Sequence, residues 1–156
     1  MRVMTALLLA ATFTVQADGS HLLGVPAHQR PVDRTLTVTL NDTMRFSPAA
    51  LRVAAGETVR LRLHNQGKLP HEFVLGEMDN LRQHAEMMRQ HPEMEHDDPG
   101  MVSLAPGASS DLVWYFPKAG QIDFACLLPG HMEAGMVGQI RVEEGDIEGL
   151  SVAGSM

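Results

Sequence analysis

From Arg34 onward apolar and polar residues alternate. Leu36, Val38 and Leu40 fall on one side of an extended chain and Thr35, Thr37 and Thr39 on the other, a period of two that predicts a half-buried strand. Phe46-Ser47-Pro48 and Leu51-Arg52-Val53 continue the extended pattern. Gly56-Glu57 turns it, and Val59, Leu61 and Leu63 then alternate with Arg60, Arg62 and His64. Phe73-Val74-Leu75 is a further short apolar run. After Gly76 the period changes: Asn80 with Gln83 forms a capping-box pattern, Leu81 to His91 contains no β-branched residue, and Pro92 stops the run. A helix of about three turns is therefore predicted inside an otherwise all-β pattern. Strand patterning resumes at Met101–Leu104, Asp111–Phe116, Gln121–Cys126 and Met136–Val142, separated by Ala105-Pro106-Gly107 and Lys118-Ala119-Gly120. About seven or eight short strands between turn signals predict an all-β Greek-key sandwich. It spans 34–142, with a helical insert at 77–100.

The ends read differently. Arg2 precedes an apolar run from Ala6 to Val15 that closes on Val15-Gln16-Ala17, the form of a secretory signal peptide at 1–17. The run is too short for a membrane span, and no later stretch reaches the roughly 18 apolar residues that a spanning helix needs. The expected mature protein is periplasmic and not membrane-spanning. Residues 18–33, with Gly19, Gly24, Pro26 and Pro31, read as a flexible leader. Residues 143–156 read as an acidic, Gly-rich tail that frays.

Composition narrows the function. The 156-residue chain carries a formal charge of -7, and loss of Arg2 with the signal peptide makes it one unit more negative, so nucleic acid is not an expected partner. Met (11) and His (8) are plentiful, and these side chains bind soft metal ions. Exported chains mostly use cysteine in pairs, yet Cys126 is alone, so it is either buried and inert or bound to something.

Its context favours binding. Cys126-Leu-Leu-Pro-Gly-His131-Met-Glu-Ala-Gly-Met136 gives Cys-x4-His-x4-Met between the last two predicted strands, and Pro70-His71-Glu72-Phe73 places a second His at the start of an earlier one. One thiolate, two imidazoles and a thioether are the donors of a blue-copper electron-transfer site, in which the Met sulfur is the weak axial ligand. Zinc competes less well, because it prefers four strong donors. Pro129, Gly130 and Gly135 allow the tight turning that three converging side chains require. Taken singly, Cys126 and Met136 read as core residues and His131 as a loop residue; the joint spacing argues against that reading.

Across about 34–142 these residues resemble the cupredoxin family of plastocyanin, azurin, pseudoazurin and rusticyanin. The loop spacing resembles rusticyanin, while Pro-His-Glu-Phe followed by a His- and Met-bearing insert resembles a periplasmic group linked to copper tolerance. The resemblance implies a sandwich of about eight strands, one type 1 copper, and His71, Cys126, His131 and Met136 as its ligands. Many members carry Asn or Ser after the first ligand His. This chain has Glu72, so potential and colour do not carry over.

Two further features bear on role. Leu127, Leu128, Pro129 and Met132 surround His131 and read either as an apolar rim for a redox partner or as ordinary loop packing. On the insert, His84, Met87, Met88 and His91 recur at helical spacing and Met94 and His96 follow. They read either as a secondary copper-capturing surface or as a helix that packs its Met residues on the sandwich. His21 and His28 are weaker candidates. The expected role is copper handling or tolerance, with a copper-handling or redox protein as partner; the alternative is a dedicated electron carrier. A copper enzyme is not expected. Ala125 and Leu127 flank Cys126, where multicopper oxidases place His, and a binuclear site would need a second Cys.

Overall fold

The computed structural model describes residues 24–94 and 98–145. The expected signal peptide, His21, His96 and the tail beyond Gly145 lie outside the described residues. Within them are ten strands and one helix: β1 (Val25–Pro26), β2 (Arg34–Asn41), β3 (Arg45–Ser47), β4 (Ala50–Ala54), β5 (Thr58–Asn65), β6 (His71–Gly76), α1 (Met78–Gln90), β7 (Met101–Leu104), β8 (Ser109–Tyr115), β9 (Gly120–Ala125) and β10 (Val137–Glu143).

The strands form two five-stranded sheets, ordered β1-β8-β5-β2-β3 and β4-β10-β9-β6-β7. Pairing is antiparallel except for β2 with β5 and β10 with β4. The sandwich expectation holds, with more strands than expected for two reasons. The Phe46 to Val53 stretch divides into β3 and β4, which join different sheets. Val25–Pro26, inside the expected leader, also pairs with Tyr115 and Trp114 of β8. Leader composition concealed it, since Pro26 suits only an edge position, which β1 occupies.

Alternation now has a physical meaning. Val38, Leu40, Val59, Leu61 and Leu63 point between the sheets and are fully buried, as are Phe73 and Phe124. Three rings fill the centre: Phe73 stacks on Phe124 at 4.7 Å, and Phe46 meets both edge-on at 5.8 and 5.0 Å. Strand β6 lacks alternation because both of its faces are covered. Phe73 and Leu75 enter the main core, while Val74 packs with Ala125, Leu127 and the helix residues Leu81 and Ala85.

The helix corrects one detail. It begins at Met78 after Glu77, whose side chain makes no capping bond, so Asn80 is not the cap. The Met78 N–H instead donates to Asp123 Oδ2 of β9 at 3.1 Å. A neighbouring strand supplies the acceptor, and the helix starts where the strand puts it.

Candidate metal centre

Strand parity sets two of the four expected donors. His71 follows the same face as Phe73 and Leu75, and Cys126 the same face as Ile122 and Phe124, so both side chains point into one end of the core. Each is fully buried. His131 reaches them from the loop between β9 and β10 and is half-buried. Its Nδ1 lies 3.3 Å from Cys126 Sγ. The His71 and His131 rings stand 5.1 Å apart between centroids. One donor atom each from His71, Cys126 and His131 fit within 4.8 Å of one another. Met136 is fully buried in the core cluster that contains Cys126. Its carbonyl accepts the Cys126 N–H at 3.1 Å, and its own N–H donates to the His131 carbonyl at 3.0 Å.

The loop is folded by its own backbone bonds. His131 N–H donates to Leu128 O, Ala134 N–H to Gly130 O, and Gly135 N–H to Met132 O. Gly130 and Gly135 sit at φ 85° and 104°, where L side chains are strained. A Cβ at Gly135 would stand 2.7 Å from the Arg45 guanidinium, which would have to shift. Arg45, on β3, donates to the Ala134 carbonyl at 2.7 Å and braces the loop from outside. The segment leading into His71 is held by buried Asn65, whose side-chain amide donates to Leu69 O at 2.8 Å and Leu104 O at 3.0 Å. Asp42 accepts from Lys68 N–H at 2.7 Å and Leu69 N–H at 3.2 Å, and stands 3.0 Å from His71 Nε2. Those bonds, the Lys68 N–H first and His71 next, hold the Asp42 carboxyl below its ordinary range.

Burial pushes the Cys126 thiol up to about 11, the Glu72 carboxylate adding to the rise while the Glu72 and Leu128 N–H groups oppose it. The Glu72 N–H stands 3.3 Å from Sγ, in position to stabilise a thiolate. Burial lowers His131 and neighbouring His71 lowers it further, against smaller raising effects of Asp42 and Glu133, so the neutral imidazole is favoured. His71 Nδ1 is buried with no hydrogen-bond partner. An orphaned imidazole nitrogen beside a thiol and a neutral second imidazole is costly in a closed core, and a soft metal ion is the partner this donor set fits.

The family described as copper binding proteins, plastocyanin/azurin family, matches residues 32–143. This chain belongs to that family. Copper is the cofactor of this family, and the group of His71, Cys126 and His131 is consistent with holding it. Among curated relatives, the copper-resistant cuproprotein CopI of Rubrivivax gelatinosus is 49% identical over 154 residues, covering 87% of this chain and 93% of that protein. The protein of the same name from Pseudomonas aeruginosa PAO1 is 37% identical, covering 83% and 88%. Solved structures share the fold. Auracyanin B superposes at a TM-score of 0.64 with 24% identity, over 77% of this chain and 96% of that one. The azurin of Methylomonas sp. strain J gives 0.61 with 19% identity, over 72% and 100%.

Met88 is buried beneath α1, His84 is half-buried, and Met87, His91 and Met94 are exposed. His91 Nδ1 lies 3.8 Å from Glu93, and exposed His28 lies far along the chain in the 27–30 turn. The expected apolar rim also changes membership: Leu127 is buried under the helix, leaving Leu128, Pro129 and Met132 near His131, with exposed Leu69 preceding His71. Asp42, Arg45 and Asn65 carried no signal in the sequence beyond turn and strand composition.

Proposed function

We propose that this chain holds one type 1 copper through His71, Cys126 and His131, with Met136 as a weak fourth donor, and serves copper tolerance in the periplasm. The observation that carries the ligand reading is the buried thiol, with one nitrogen from each imidazole, inside 4.8 Å. Copper held by such donors exchanges single electrons between Cu(I) and Cu(II). The residues supply the rest. Buried walls exclude water from Cys126, the Glu72 N–H supports its sulfur, and the braced loop keeps donors in place in either oxidation state. Half-buried His131 gives an electron route to the surface, where Leu128, Pro129 and Met132 form the approach for a protein partner. The role is binding and electron exchange rather than turnover of a substrate. Tolerance is favoured over a dedicated electron carrier by the names of the relatives, both copper-resistant cuproproteins. Export is supported by the signal-like residues 1–17, and no described helix is long and apolar enough to cross a membrane.

The test is copper stoichiometry with the visible spectrum, and growth of the producing cell in excess copper. Purified protein is expected to hold one tightly bound copper with an intense thiolate band. Cys126→Ser should remove the band and leave a folded sandwich, and Met136→Gln should keep copper while lowering the reduction potential. A band that survives Cys126→Ser refutes the ligand set. Unimpaired growth of cells lacking the protein refutes tolerance and returns the role to electron transfer.

A further inference from the structure

The hairpin between β2 and β3 places a carboxylate behind the buried imidazole of His71. Asn41 pairs with Arg45, so residues 42–44 form the loop, closed by Met44 at φ 58° in the left-handed conformation such loops use. The Asn41 side chain accepts the Thr43 N–H at 3.0 Å, shaping the turn so that Asp42 faces the segment from Gly67 to His71. Contact there is close: a Cβ on Gly67 would stand 2.0 Å from Asp42 Oδ1. That oxygen lies 3.0 Å from His71 Nε2. The His71 side chain is fully buried while Asp42 is one-third exposed, at 34%.

A neutral imidazole has one N–H and one bare nitrogen, and an anionic acceptor at Nε2 puts the proton there. Nδ1 is then the lone-pair donor, and it is the atom left buried without a partner. Carboxylates in this position orient a ligand imidazole and raise its basicity. We propose that Asp42 is a positioning residue of the copper centre: it locks His71 in the Nε2–H tautomer with Nδ1 free for the metal, and its charge favours Cu(II) over Cu(I). The inference rests on His71 being a ligand. The competing role is a loop staple, since Asp42 also accepts the Lys68 and Leu69 N–H groups.

Two variants separate these roles. Asp42→Asn keeps an oxygen for Nε2–H and removes the charge; Asp42→Ala removes both. In the copper-free protein, imidazole 15N NMR should show His71 as the Nε2–H tautomer in wild type and in Asp42→Asn, and a tautomer mixture in Asp42→Ala. In the copper-loaded protein, Asp42→Asn should raise the reduction potential. Asp42→Ala should weaken Cu(II) binding about 10- to 100-fold, the range for losing such a partner, and shift the thiolate band. Wild-type potential in Asp42→Asn with a wild-type tautomer in Asp42→Ala overturns the proposal, even if both melt earlier, because that pattern is a staple alone. If Asp42→Ala does not fold, an unchanged potential in Asp42→Asn suffices to overturn it. A wild-type protein without a thiolate band would instead refute the ligand assignment, while the tautomer measurement still reads the Asp42–His71 contact.

Discussion

Cys126 is the proposed ligand whose protonation state metal binding must change. Burial holds its thiol at about 11, so at pH 7 the copper-free protein carries S–H, and a metal must displace that proton to bind thiolate. His131 is held below its ordinary value by burial and by His71, which favours its neutral form. Copper uptake at pH 7 should therefore release about one proton from Cys126. Apparent affinity should rise about tenfold per pH unit through neutral pH and level off above about 11. Proton release in weak buffer measures this, and Cys126→Ser should abolish it. Release that persists in that variant would place the proton elsewhere.

Helix α1 and the sheet beneath it can be separated from copper chemistry element by element. Met88 is buried on the same helix face as Leu81 and Ala85, so its thioether is a packing group. Met88→Ala should cost about 2–5 kcal/mol, the range for truncating a buried Met. Met87→Ala should cost within about 0.5 kcal/mol, as exposed positions do. If the insert also captures copper, the exposed donors carry that function. Replacing Met87, His91 and Met94 together with His84 and His96 should then remove weak extra Cu(I), titrated against a competing chelator, and leave the visible band intact. Unchanged stoichiometry would make α1 a packing element alone. Loss of the band would show that the helix supports the main centre through Val74 and Leu127.

At the scale of the whole molecule, both sheets meet at the centre: β6, β9 and the loop before β10 carry the donors, and the β2–β3 hairpin braces them through Asp42 and Arg45. Copper held by the proposed ligands would therefore bind a surface that exists only when the sandwich is closed. It should raise the unfolding midpoint, with free copper at 100 times its dissociation constant adding about 2.7 kcal/mol if the unfolded chain does not compete. Chemical denaturation with and without a chelator measures the gain. An equal gain in Cys126→Ser would mean that the ion stabilises the protein from another site.

The cupredoxin sandwich and the Cys, His and Met of one loop were legible in the sequence because both are local. Alternation gives each strand its buried face, and Cys126, His131 and Met136 lie on one short connection whose glycines permit the turns. His71 was legible as a second His at the start of a predicted strand; its meeting with Cys126 depends on the β6–β9 pairing and on shared parity. Tertiary structure alone decided the rest. Asp42, Arg45 and Asn65 act across sheets and loops, β1 exists only because β8 offers an edge, and α1 starts at Met78 because Asp123 waits on β9. Such contacts follow from the register between distant segments, and register is set by the packing of the whole core rather than by any local run of residues.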